Sequence, residues 1–240
     1  MAQYNQVTPE IIAQLQAAAP GRVVVGGDVN PDYARDEMPI YGVKMPEVSI
    51  DATSTEEIAA VMKVCYDNNI PVTTRGAGTG LVGGCTPICG GVVICTMKMN
   101  KILNYDLENF AVPVQPGVLL QQLADDALTH GCMYPPDPGE KMATLGGNVA
   151  TNAGGMRAVK YGTTRDYVRA MTVVLPTGEI THLGAGMIFM VSSVMIPRVP
   201  SEPIIRFRRE YPEEFLETVA PRWVISPVCR TTVMARRLSL

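Results

Sequence analysis

The stretch Arg75-Gly76-Ala77-Gly78-Thr79-Gly80-Leu81-Val82-Gly83-Gly84 is dense in glycine and follows a predicted strand. With no Cβ atoms in the way, backbone N–H groups at such density can converge on an anion, as a pyrophosphate requires. A second element of the same kind begins at Pro135-Pro136-Asp137-Pro138-Gly139 and continues through Thr144-Leu145-Gly146-Gly147-Asn148-Val149-Ala150-Thr151-Asn152-Ala153-Gly154-Gly155. Its small residues can open a short helix whose N-terminal amides turn to an anion, while the lack of bulk lets a flat ligand lie against the backbone. Two separated cradles suit a long dinucleotide. Lys160-Tyr161-Gly162-Thr163 and Asp166 follow, readable either as ligand contacts or as a solvated face with a surface ion pair.

Other chemistries find less support. Gly78-x-Gly80-x-x-Gly83 formally matches the fingerprint of a nicotinamide-binding Rossmann dehydrogenase, but that fingerprint must open a helix. Here Gly84-Cys85-Thr86-Pro87-Ile88-Cys89-Gly90-Gly91 follows, which is full of helix breakers. A flexible surface loop remains the bland alternative. The six cysteines contain no C-x-x-C pair and lie far from His130 and His182, so no metal site is expected and the thiols read as small buried residues. His182 falls at a predicted hairpin end, where a histidine is more often structural or solvated than a base. No catalytic residue is assigned.

These loops need a frame, and the flanking pattern supplies one. Thr8-Pro9-Glu10 ahead of Ile11, Ile12 and Leu15 predicts a capped helix that ends at Ala19-Pro20-Gly21. Val23 to Val25 and Met45 to Ile50 read as strands. Thr53-Ser54-Thr55-Glu56-Glu57 offers two overlapping capping boxes, Thr53 with Glu56 and Ser54 with Glu57, before a helix with Ile58, Val61, Met62 and Cys65 on one face. Ile70 to Thr74 and Gly91 to Thr96 are predicted strands with locally parallel pairing. Asn109 to Val114 is a further strand, Val118 to Thr129 a helix, and Ala170 to His182 a hairpin about Pro176-Thr177-Gly178.

The whole chain has 240 residues, 47% of them hydrophobic, enough for a sizeable core. Its net charge of -3 offers no broad attraction for nucleic acid or an acidic membrane. No transmembrane helix is expected, since no window reaches the length a bilayer requires. The opening residues lack the basic and apolar regions of a secretory signal, which favours a reducing cytoplasm. Composition breaks near Ala185: all six lysines precede it, whereas eight of the fourteen arginines and only one of the 22 glycines follow it. Three prolines between Val194 and Ile205 oppose a continuous helix and most sheet pairing, and only Glu210 to Ala220 could form a short helix.

The residues from about Thr8 to Gly184 resemble the flavin-binding proteins of the vanillyl-alcohol-oxidase (PCMH) type, in the D-lactate dehydrogenase and glycolate oxidase large-subunit branch. The resemblance rests on Pro71 to Leu81 with Gly83-Gly84, on Val114-Gln115-Pro116-Gly117-Val118 and Pro135 to Pro138, and on Gly146-Gly147-Asn148, Asn152 to Gly155 and Lys160-Tyr161-Gly162. It implies an α+β fold with two α/β subdomains and FAD as cofactor. By it, Arg75, Gly76, Ala77, Gly78, Thr79, Gly80, Gly83 and Gly84, with Thr144, Asn152, Gly154 and Gly155, would hold the pyrophosphate. Pro136, Gly146, Gly147, Asn148 and Ala153 would lie beside the ribityl chain or ring, and Tyr161 and Gly162 would complete the site. It further implies oxidation of a 2-hydroxy acid, with an electron-transferring flavoprotein as one option for the partner.

Three regions are expected: an N-terminal helical and extended segment (1–42), an incomplete FAD-binding domain (43–185) and a divergent, poorly ordered Arg/Pro-rich tail (186–240). The family's continuation of the FAD site and its substrate domain are not recognisable after Ala185. The tail therefore reads as frame-altered sequence, with a partner-binding arm as the alternative, and the chain alone is expected to be inactive.

Overall fold

The computed structural model describes residues 4–184 and 193–195. Helix α1 (Pro9–Ala18) starts where Thr8 Oγ1 accepts from the Ile11 amide, and it buries Ile11 and Leu15. Strand β1 (Val23–Val25) then runs antiparallel to β2 (Val48–Asp51), so the segment ahead of residue 43 contributes a strand to the main sheet. Helix α2 (Thr55–Asp67) buries the predicted face of Ile58, Val61, Met62 and Cys65. Its cap differs from the predicted pair of boxes. Ser54 Oγ accepts from the Glu57 amide, but the Glu57 carboxylate accepts from both the amide and the hydroxyl of Thr53, at 2.6 and 2.8 Å. One carboxylate oxygen can take both donors, which draws Glu57 away from Ser54.

Strands β3 (Val72–Arg75) and β4 (Val92–Cys95) complete a sheet of order β1-β2-β4-β3. β4 is parallel to both neighbours and all four of its residues are buried, as a central strand covered on both faces should be. Helix α2 carries the chain from β2 to β3, and β4 lies between those two strands. The return from β3 to β4 is also parallel, yet residues 76–91 contain no helix. The glycine-rich loop is itself the long crossover that parallel pairing requires.

A first core joins α1, α2 and this sheet through residues such as Leu15, Ile50, Val61, Val92 and Ile94. Each fully buried aliphatic side chain there contributes about 1.5–3 kcal/mol. A second core gathers Val112, Val114, Leu123, Tyr134, Leu145 and Tyr167, from β5 (Ala111–Pro113), α3 (Leu120–Thr129), α4 (Leu145–Ala150) and nearby turns. A single turn, α5 (Ala158–Tyr161), follows α4. Hairpin β6 (Ala170–Val174) and β7 (Ile180–Gly184) packs back on the first core through Val174. At its turn Gly178, with φ +84°, sits so close to Ala59 O and Lys63 that a Cβ would not fit.

Strand β8 (Ser193–Met195) pairs antiparallel with β5 and ends before Pro197. The Glu210 to Ala220 helix and the rest of the Arg/Pro-rich tail lie outside the described residues. No helix among the described residues is long and apolar enough to cross a membrane.

Candidate cofactor site

A cavity of about 310 Å³ opens where β3 and β4 end, between the two cores. One wall is the crossover loop, and the other is the segment around α4. The fold brings together in this lining Arg75, Gly76, Ala77, Gly78, Thr79, Gly80, Gly84, Thr144, Gly146, Gly147, Asn148, Ala153 and Gly154 from the sequence prediction. Gly83, Pro136, Asn152, Gly155, Tyr161 and Gly162 lie outside that lining and have other contacts. Gly83 meets the Tyr41 ring, Gly155 abuts Asp137 O, and Gly162 abuts the Asp166 carboxylate. Pro136 is buried. Asn152 Oδ1 accepts from Thr163 Oγ1 and the Arg165 amide, and Tyr161 O accepts from the Tyr167 hydroxyl.

Most of the glycines answer to the protein's own packing as well as to any ligand. A Cβ on Gly76 would collide with Thr144 Oγ1, so this position fastens one wall to the other. Gly78 has φ +80° and its Cα faces the Arg75 guanidinium, leaving no room for a side chain. That guanidinium is buried, donates to Arg35 O at 2.6 Å, and stands 5.3 Å from the centre of the Tyr33 ring. The cation therefore packs against the loop backbone.

The two predicted cradles differ in what they offer an anion. Among the described residues, the amides of Ala77, Gly78, Thr79 and Gly80 make no hydrogen bond to protein. The first-turn amides of α4 are all engaged: Leu145 to Val118 O, Gly146 to Pro116 O, Gly147 to Thr144 Oγ1 and Asn148 to Thr144 O. The expectation that this helix start presents amides to an anion is thus corrected. Its small residues fit close packing against Pro116 and Thr144, which consumes the donors. What α4 does offer is Asn148, only 4% exposed, whose Nδ2 has no hydrogen-bond partner. A buried amide donor left unmatched is costly, and one lining a cavity fits a ligand with acceptor atoms.

Sequence reasoning missed Asp36. It is 6% exposed and lines the cavity, with Oδ2 placed 3.4 Å from where a Cβ on Gly80 would lie. No local signal marks it, since it reaches the loop from some forty residues upstream by tertiary folding alone. Cys85 also lines the cavity, and burial pushes its thiol up despite the nearby Arg75 charge. At the far side Asp137 is clamped by Lys141 and Arg157; the hydrogen bond from Lys141 is the larger cause of its lowered pKa. His182 is exposed and shares a 3.0 Å hydrogen bond with Thr172 across the hairpin, away from the cavity. No cluster of His, Cys, Asp and Glu among the described residues is arranged to hold a metal ion.

The family model described as "FAD binding domain" matches residues 46–184, which include both walls except the upstream Asp36. The chain belongs to the FAD-binding domain family, of the PCMH type. A D-lactate dehydrogenase of Anaerostipes hadrus is 67% identical over 183 residues, covering 76% of this chain and 38% of that protein. Glycolate oxidase subunit GlcD of Bacillus subtilis is 40% identical over 165 residues, covering 68% of this chain and 33% of that subunit. An alkyldihydroxyacetonephosphate synthase structure aligns with a TM-score of 0.70 at 22% identity, over 84% of this chain and 42% of that one, which establishes the shared fold. The chain spans between 33% and 42% of the length of these relatives. FAD is the cofactor of this domain, and the Rossmann alternative falls because no helix follows Gly83. The unmatched amides of Ala77 to Gly80 and the buried Asn148 amide fit the acceptor atoms of such a ligand.

Proposed function

We propose that this chain is the FAD-binding part of a cytoplasmic dehydrogenase that oxidises D-lactate or a similar 2-hydroxy acid. The observation that carries this reading is the 67% identity to a D-lactate dehydrogenase across the segment that forms the cavity. In this reading the Ala77 to Gly80 amides hold the pyrophosphate, which gains from their fixed dipoles. Asn148 donates to the cofactor beside it, and Gly146, Gly147 and Ala153 leave a flat surface for the ribityl chain and ring. When bound, FAD supplies the ring that accepts a hydride from the substrate carbon. The chain's own residues bind and orient. No histidine lines the cavity among the described residues, Arg75 is engaged with Arg35 O and Asp36 with the Met38 and Cys85 amides, so the base for the hydroxyl proton and the cation for the carboxylate are assigned to the part of the whole protein that this chain does not span.

Among the described residues Cys65, Cys85, Cys89 and Cys95 are free thiols, which supports a reducing compartment. An electron-transferring flavoprotein is the proposed acceptor by family resemblance, and residues 186–240 are proposed to diverge from the family's continuation.

A segment exchange tests the reading. Residues 1–184 of this chain, replacing the matching region of the Anaerostipes hadrus enzyme, are expected to preserve flavin content and D-lactate-dependent dye reduction. A chimera that holds FAD but reduces dye with no 2-hydroxy acid would overturn the substrate assignment. One that folds without flavin would overturn the assignment of the cavity.

A further inference from the structure

The crossover loop is held from outside the matched family region. Arg35 O accepts from Arg75 at 2.6 Å, the Glu37 amide donates to Gly80 O at 3.0 Å, and the Tyr41 ring covers Gly83. These contacts come from residues 35–41, upstream of the matched span that begins at residue 46. In their midst is Asp36. Its Oδ1 accepts from the Met38 amide at 3.0 Å, a two-residue turn of the kind aspartate makes with its own backbone, and this turn sets the path that brings Glu37 to Gly80. Its Oδ2 reaches back to the Cys85 amide at 3.5 Å, beyond the far end of the glycine run. One buried carboxylate thus touches both the upstream segment and the loop.

We propose that residues 35–41 form a strap that presets the anion-binding loop, with Asp36 as its positioning residue. The proposal rests on the FAD assignment for its purpose but not for its geometry. A glycine-rich loop without such support samples many backbone states, and closing it on a ligand would cost ordering entropy. The strap removes that cost before the ligand arrives.

Two measurements on the full chain test this, with Asp36→Ala and Asp36→Asn compared to the parent. Hydrogen exchange without ligand reads the strap alone. In Asp36→Ala the amides of Glu37, Cys85 and Thr86, which donate to Gly80 O, Asp36 Oδ2 and Gly83 O, are expected to exchange about tenfold faster, the size of one lost hydrogen bond to a charged group, while those of α2 and β4 stay unchanged. Equal exchange in parent and variant would overturn the strap whatever happens to FAD. Affinities for FAD, ADP and riboflavin then read its purpose. Asp36→Ala is expected to weaken FAD and ADP about tenfold and leave riboflavin within about twofold, since riboflavin lacks the pyrophosphate; Asp36→Asn, which keeps the oxygen for Met38, should recover most of the loss. Equal loss for all three ligands would show a general structural defect and overturn the positioning role. Faster loop exchange with no FAD binding by the parent would sustain the strap and overturn the cofactor assignment instead.

Discussion

Gly76 and Thr144 meet so closely that a methyl group on Gly76 would run into Thr144 Oγ1. That oxygen also accepts from the Gly147 amide at 3.2 Å and caps α4, so a single contact joins the two walls of the cavity and depends on the absence of one carbon. The walls belong to different cores, and this contact fixes the spacing between them.

Gly76→Ala is therefore expected to push Thr144 off its cap. Overpacking of this kind costs about 1–3 kcal/mol, read as an earlier denaturant midpoint, and flavin should be lost on desalting. Full flavin retention at an unchanged midpoint would contradict the junction.

Gly78→Val should lower the thermal midpoint of the flavin-free protein as well as its flavin content. The reason is internal: φ is +80° and the Arg75 guanidinium occupies the space of the new side chain. The left-handed backbone alone costs roughly 1–2 kcal/mol for a residue with a Cβ, and branching adds to it. A variant with normal flavin-free stability but no flavin would instead place the effect wholly at the ligand.

Asn148→Leu separates binding from folding in the opposite sense. Removing a buried donor that has no protein partner is expected to leave the flavin-free midpoint unchanged or raised, while FAD affinity falls about tenfold or more. Parallel losses in both would show that the Asn148 amide serves the fold.

Asp137 gives a pH dependence. The Lys141 hydrogen bond, with help from the Lys141 and Arg157 charges, holds its carboxyl below the ordinary aspartate value of 3.8. A folded-state pKa lower than the unfolded one means stabilisation that is fully present above that ordinary value and lost as pH falls through the lowered one. These partners are exposed, so Asp137→Asn is expected to cost no more than about 1 kcal/mol at neutral pH and less at about pH 3, with high salt shrinking the neutral-pH difference. Urea titrations at the two pH values check it.

Thiol labelling checks the burial of the two cores. Burial pushes the Cys65 thiol up to about 12, and Cys95 is raised for the same first cause. Among the described cysteines, iodoacetamide at neutral pH should modify exposed Cys89 first and reach Cys65, Cys95 and Cys132 only on unfolding. Rapid native labelling of Cys65 would contradict the packing of α2 on the sheet.

The sequence by itself determined the elements and the kind of ligand. Helix caps at Thr8 and Ser54, the apolar face from Ile58 to Cys65 and the valine-rich strands are local facts of spacing, and local spacing is what propensity and periodicity report. The breakers after Gly83 were equally legible and weighed against the Rossmann reading, which the absence of a helix there then removed. Only the tertiary structure decided which donors remain for a ligand. The α4 amides looked available in the sequence, yet Pro116, Val118 and Thr144 take them, and all but Thr144 come from well upstream. The same holds for Gly76 and Gly78, whose need for hydrogen in place of a side chain comes from Thr144 and Arg75. Asp36 was invisible for a related reason: a carboxylate in an irregular segment carries no period, and its place beside Gly80 exists only once the upstream strap has folded across the loop.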